Sequence, residues 1–183
     1  QKKLNIWDSV DLGDIKNISS IESLDLSSNQ FITNIEPLSQ LASLQVLNLA
    51  NTNVTDLSPI RNLTELVELN LSNTKLDDIS ALKYSDKLTK LKLDRTPVSD
   101  ISVLERLVSL QSLDLSETQV SDFNVLSNHL SLQNLNLEGT RIGNLSPLDS
   151  LTSLTEINAS RTLVENVSPL RNLKKLAVLN LDS

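Results

Sequence analysis

The chain has 183 residues, a formal net charge of −7 and a pI of about 4.7, an acidic balance that argues against nucleic acid or an anionic membrane surface as partner. It contains no Cys and no Met and only 2% aromatic residues, which removes disulfides, thiolate metal sites and a base-stacking platform from consideration. No apolar run approaches the ~20 residues of a membrane-spanning helix, so no membrane insertion is expected.

Taken in chain order, the sequence opens QKKLNIWDSV, without Met and without a secretion leader. That start reads as a processed product or an excised piece of a longer protein. Leu12, Ile15 and Ile18 then stand 9, 6 and 3 residues before Ile21. Leu57, Ile60 and Leu63 keep the same spacing before Leu66. From there the organisation is a repeat: Leu44, Leu66, Leu88, Leu110, Leu132, Leu154 and Leu176 open successive units of 22 residues. A fixed period of this size marks a solenoid. The unit opening at Ile21 is one residue longer, with the extra residue near Phe31 and Ile32. The repeat runs from about Leu4 to Leu181 with no linker visible, so residues 1–183 read as a single domain of about eight to nine repeats, the terminal ones partial.

Each part of the unit has a physical role. In Leu47-Asn48-Leu49 two leucines alternate with a polar residue, the period-2 pattern of a half-buried strand. Strands spaced this way and running in one direction must stack as a parallel sheet. After each strand, Val54, Leu57, Ile60 and Leu63 recur at steps of three, the buried side of a tight helical turn. Ser58-Pro59, Ser146-Pro147 and Ser168-Pro169 read as an N-cap followed by a first-turn proline. No unit can bury its leucines alone, so stability comes from stacked neighbours.

The resulting pattern, Leu-x-x-Leu-x-Leu-x-x-Thr-x-Val-x-Asp-Leu-Ser-Pro-Ile-x-x-Leu, resembles the leucine-rich repeat, in the 22-residue variety of bacterial internalins. The resemblance implies an α/β repeat solenoid: a curved leucine-rich-repeat superhelix with a parallel β-sheet on the concave face and short 3-10 turns on the convex face. It also implies a non-enzymatic protein-recognition module that binds a protein partner through the concave sheet and needs no cofactor. The same analogy suggests a secreted or cell-surface bacterial protein. The alternatives are the regulatory arm of a larger cytoplasmic signalling enzyme and an architectural spacer. One departure is systematic. Where the family usually has Asn after the strand, this chain keeps Asn29 and then has Thr52, Thr74, Thr96, Thr118, Thr140 and Thr162. These hydroxyls are expected to point inward and satisfy backbone groups at the bend, rather than to form an exposed ladder for ice or crystal binding.

Subtracting this framework leaves the outward strand positions as candidate binding residues. They are Asp25, Asn48, Glu68, Asn70, Lys90, Lys92, Asp94, Asp114, Asn136, Glu138 and Asn158, with Trp7 at the N-terminal edge. Trp7 aligns with Ala50 and is either an exposed anchor or a cover for the end of the core. Lys87, Lys90, Lys92 and Arg95 form a basic patch on one unit, open either to an acidic segment or phosphate of a partner or to neutralisation from within. Glu68 is expected to face Lys90, Asp114 to face Lys92 and Glu117 to face Arg95, which neutralises the patch.

Other residue types yield less. There is no Gly-rich phosphate loop, G-x-S-x-G or H-E-x-x-H. The column Asp56, Asp78, Asp100 and Asp122, continued by Asn144 and Asn166, invites a calcium reading, but Asp and Asn before a helical turn more simply bond local backbone N–H groups. His129 falls where Leu63, Leu107 and Leu151 are apolar. The turn is expected to slip by one there, so that Leu130 packs and His129 turns outward. Ser85 holds the same slot, with Tyr84 expected to fill the space. Seven Asn-x-Ser/Thr sequons, two of them (Asn70 and Asn158) on the candidate face, favour a bacterial origin over a glycosylated one. Leu179-Asn180-Leu181 reads as a strand without a cap, which suggests end-to-end self-association.

Overall fold

The computed structural model describes residues 3–5 and 12–182. Among these, nine three-residue strands stack in sequence order into one parallel sheet. They are β1 (Lys3–Asn5), β2 (Ser23–Asp25), β3 (Val46–Asn48), β4 (Glu68–Asn70), β5 (Lys90–Lys92), β6 (Ser112–Asp114), β7 (Asn134–Asn136), β8 (Glu156–Asn158) and β9 (Val178–Asn180). The register aligns Leu24, Leu47, Leu69, Leu91, Leu113, Leu135 and Ile157 as one buried row. A second buried row, Leu26 through Leu137, follows two residues later. A short tight turn separates each strand from the next, giving the expected curved leucine-rich-repeat solenoid with the sheet on its concave face.

The threonines point inward. Oγ1 of Thr52, Thr74, Thr96, Thr118, Thr140 and Thr162 donates to the carbonyl three residues before it at 2.6–2.8 Å. Asn29 makes the equivalent bond from Nδ2 to Leu26 O at 2.9 Å, so Thr and Asn do the same job at the bend. Just before each of these residues, the chain passes through the left-handed region. Ser28, Asn51, Asn73, Arg95, Glu117, Gly139 and Arg161 have φ between 53° and 67°. That conformation disfavours most L residues and suits Asn and Gly. Gly139 has a second reason to lack a side chain, because a Cβ there would lie 3.3 Å from Glu117 Cγ.

The turn segments bury their residues at steps of three, as Val54, Leu57, Ile60, Leu63 and Leu66 illustrate. Their entry is closed by the Asp/Asn column. Ser58, Ser80, Ser102, Asn124, Ser146 and Ser168 each donate a backbone N–H at 2.7–2.9 Å to the side-chain oxygen two residues before. These bonds hold the Asp78 and Asp100 carboxyls below the usual carboxylate range. Ser58, Ser146 and Ser168 are accordingly the first residues of their turns rather than caps. The capping positions are Leu57, Leu145 and Val167, none with a side-chain bond. The inserted residue of the second unit is Phe31, 85% exposed, while Ile32 packs on the core. Ile18 departs from the column assigned to it and is exposed.

The expected slip at His129 does not occur. His129 is fully buried and Leu130 is 59% exposed. A slip would break the bonds His129 N–H to Leu126 O and Leu132 N–H to His129 O, both 2.9 Å, which recur in every unit. The imidazole therefore takes the leucine's place, and Nε2 lies 3.0 Å from Leu104 O. An acceptor there assigns the proton to Nε2. Ser85 likewise stays in its slot, buried, with Tyr84 turned out to solvent. Among the described residues Ser85 Oγ has no hydrogen-bond partner, and His129 Nδ1, an acceptor in this tautomer, meets no donor, since the nearby main-chain groups of Val125 and Leu126 are carbonyls. Burial pushes the His129 pKa below its ordinary value.

Candidate functional site

The concave face is built from the outward positions of β2 to β8. Its middle column is tied more closely to the framework than its polarity suggests. Oδ1 of Asp25, Asn48, Asn70, Asp114, Asn136 and Asn158 accepts the backbone N–H two residues ahead at 3.0–3.1 Å. Each such bond fixes the chain as it leaves the strand for the left-handed bend. The sequence pattern presents these residues as free for a partner, whereas their Oδ1 atoms belong to the fold. Asn or Asp recurring at a strand exit was the sequence signal for it.

Lys92 stands alone in that column. Its ammonium has no acceptor atom with which to take the Asp94 N–H, and it is exposed at the centre of the face. Register sets it between Asn70 and Asp114. The expected ion pair with Asp114 is absent, because Asp114 Oδ1 accepts from Ser116 and Oδ2 lies 3.3 Å from Asn136 Nδ2. The rest of the basic patch is neutralised. Lys90 pairs with Glu68 at 2.8 Å, as expected, and Lys87 with Glu65 at 2.7 Å. Arg95 pairs with Asp94 at 3.2 Å rather than with Glu117. Glu117 instead accepts from Arg161, whose guanidinium reaches across Gly139 to it at 2.7 Å and to Glu138 at 3.0 Å.

Two shallow grooves meet at Lys92. One, of about 240 Å³, runs over Asn48, Glu68, Asn70, Lys90 and Lys92. The other, of about 250 Å³, runs over Lys92, Asp114, Asn136, Glu156 and Asn158. Two assigned residues sit differently. Asp94 is only 8% exposed, bonded by Ser72 Oγ and Arg95. The strand has ended by Lys92 and the chain is folding into the bend at Arg95, so this column tucks in with Ala50, Ser72 and Ser116. Glu138 is half-buried and accepts from Arg161 and Asn158. Trp7 lies outside the described residues, and with it the choice between anchor and end cover.

Among the described residues no three His, Cys, Asp or Glu side chains gather closely enough to hold a metal ion. No helix among them is long and apolar enough to cross a membrane.

Comparison with known proteins places this geometry. Residues 42–84 match the family model for paired leucine-rich repeats, and residues 20–41 the model for a single leucine-rich repeat. A search of curated proteins finds no match. Among solved structures, an internalin (inlF) of Listeria monocytogenes superposes with a TM-score of 0.93 at 28% identity over 98% of this chain. The chain spans about half of that protein, 53%. A leucine-rich-repeat protein of Leptospira interrogans shares the fold, with a TM-score of 0.84 at 23% identity over 91% of this chain and 44% of its own. Internalin C2 (inlC2) of Listeria monocytogenes superposes with a TM-score of 0.87 over 91% of this chain and 74% of its own. At 31% identity across that span, on one shared solenoid, this chain belongs to the internalin-type leucine-rich-repeat proteins.

Proposed function

We propose that the chain is the non-enzymatic recognition module of a bacterial surface or secreted protein, and that it binds a protein partner through the concave sheet with Lys92 at the centre of the contact. Leucine-rich-repeat proteins of this type are protein-interaction modules. The observation that carries the reading is the break in the strand-exit ladder between β2 and β8. In six of these seven repeats that position holds Asn or Asp bonded to the backbone, and at Lys92 that bond is given up for a cation with no ion pair among the described residues, where two grooves meet. A residue kept against local stability is explained by what it contacts. The partner then presents a carboxylate to Lys92, with dispersed polar contacts to Asn48, Asn70, Asn136, Asn158 and the Glu68–Lys90 pair.

A comparative pull-down from host-cell and bacterial lysates tests this, using the chain, its Lys92→Glu variant and a variant carrying Asn48→Arg, Asn70→Arg and Asn136→Arg. A partner lost with both variants supports the concave site, and its source distinguishes adhesion from regulation. Identical profiles for all three baits would eliminate the concave face.

A further inference from the structure

Departures from the repeat also gather away from the sheet, on the corner that leads from the tight turns into the strands. Ser85 and His129 occupy a position that is Leu in the other full repeats, both are buried, and each leaves a polar atom without a hydrogen bond. Buried unsatisfied atoms are destabilising, so stability does not explain these choices. Beside them on the surface, Tyr84 is 45%, Val108 48% and Leu130 59% exposed. Val108 and Leu130 hold the same place in successive repeats, where Asp86, which lines the groove described next, and Thr152 stand in the units before and after. They are therefore neighbours on one flank.

At this corner a groove of about 700 Å³ opens between Asn62, Thr64, Lys83, Tyr84, Asp86 and Arg106. Lys83 Nζ lies 4.8 Å from the centroid of the Tyr84 ring. Neither Lys83 nor Arg106 has a carboxylate partner among the described residues, in a chain whose net charge is −7. Two cations face one carboxylate, Asp86, so the groove favours an anionic group. The apolar pair alongside narrows the class further. A free phosphate would leave Val108 and Leu130 bare. A sulfated sugar, like phosphate, brings no bulky apolar group to cover Val108 and Leu130.

We propose that this flank is a second docking surface, distinct from the concave sheet, which receives an extended peptide bearing a carboxylate next to a bulky apolar side chain. The carboxylate lies between Lys83 and Arg106, and the apolar side chain lies on Val108 and Leu130.

The test is a titration of the isotope-labelled chain, followed by amide chemical shifts, with the peptide Gly-Ser-Asp-Glu-Leu-Phe-Ser-Gly. The controls are the same peptide with Lys in place of Asp and Glu, inorganic phosphate, and a sulfated oligosaccharide. The expected result is a set of shifts at residues 83–86, 106–108 and 130 with the acidic peptide and none with the basic one. Arg106→Glu should weaken binding roughly tenfold, and Leu130→Ser about fivefold. Lys92→Glu, on the concave sheet, should leave the pattern unchanged, so this surface and the concave site stand or fall separately. Absence of flank shifts, or shifts indifferent to both flank variants, would overturn the proposal. So would phosphate reproducing the full pattern including 108 and 130, or the oligosaccharide binding the groove with Leu130→Ser unaffected.

Discussion

The concave sheet and the turn flank carry the same repeat and depart from it in opposite ways. Along the strand exits the exception is on the surface: Lys92 replaces an Asn or Asp, and the row beneath it from Leu24 to Ile157 is unbroken. On the flank the exceptions reach inside, where Ser85 and His129 replace buried leucines. The backbone bonds explain why both are tolerated. Ser85 N–H to Leu82 O at 2.9 Å and His129 N–H to Leu126 O at 2.9 Å match Leu107 N–H to Leu104 O at 2.8 Å, so the frame persists whatever side chain it carries. The main-chain frame is what repeats without exception: it persists where Lys92 gives up a side-chain bond to the backbone and where Ser85 and His129 replace a buried leucine.

The largest expected effect tests what the two regions share. Leu91→Ala empties a fully buried position in the middle of the stack and should lower unfolding free energy by about 3 kcal/mol in urea denaturation. A loss below about 1 kcal/mol would mean that neighbouring repeats relax into the space, contrary to a continuous core. Next comes the inward hydroxyl row. Thr96→Val keeps the shape but strands the Leu93 carbonyl, which Thr96 Oγ1 reaches at 2.6 Å, and should destabilise by about 2 kcal/mol. Thr162→Val, at a half-buried site, should have a smaller effect in the same assay.

His129→Leu is expected to act with the opposite sign. Leu104 O already accepts from Leu107 N–H at 2.8 Å, so the substitution strands nothing and restores apolar burial. Stability should rise by about 1 kcal/mol at neutral pH. The pH dependence is the sharper reading. Burial lowers the His129 pKa from 6.5, so the unfolded chain takes up the proton first as the solution is acidified. His129 therefore costs nothing in charge above pH 6.5 and destabilises progressively below it, levelling off once the folded pKa is passed. Denaturation midpoints compared at pH 7 and pH 5 should show that slope in the wild type and a shallower one in His129→Leu. Equal slopes would place the acid sensitivity elsewhere.

How far the sequence was legible follows the same division. The strands, the stacking order and the inward threonines were readable because leucine spacing and hydroxyl chemistry repeat many times over. The direction of Glu117 was not, since its partner Arg161 lies two repeats away and is reached only because Gly139 between them has no side chain. The burial of Asp94 was hidden because the strand ends at Lys92, one residue before the second leucine row and two before Asp94. The orientation of His129 was misjudged for a physical reason. Hydropathy ranked Leu130 as the better core residue, but main-chain hydrogen bonds hold the register against a one-residue slip.

The smallest effect discriminates best between fold and function at the concave face. Lys92→Asn restores the residue type of the neighbouring repeats and supplies an Oδ1 for the Asp94 N–H, as Asn70 Oδ1 does for Ser72 N–H at 3.0 Å. A bond of that kind is worth about 0.5–1 kcal/mol, so the variant should be slightly more stable than the wild type. If Lys92 is held for a partner's carboxylate, the same substitution should weaken capture of that partner while the midpoint rises. Stability and binding then move in opposite directions, which a residue kept for the fold cannot produce. If stability falls instead, the Lys92 side chain contributes packing along β5 that outweighs the missing bond, and its departure from the ladder would be structural after all.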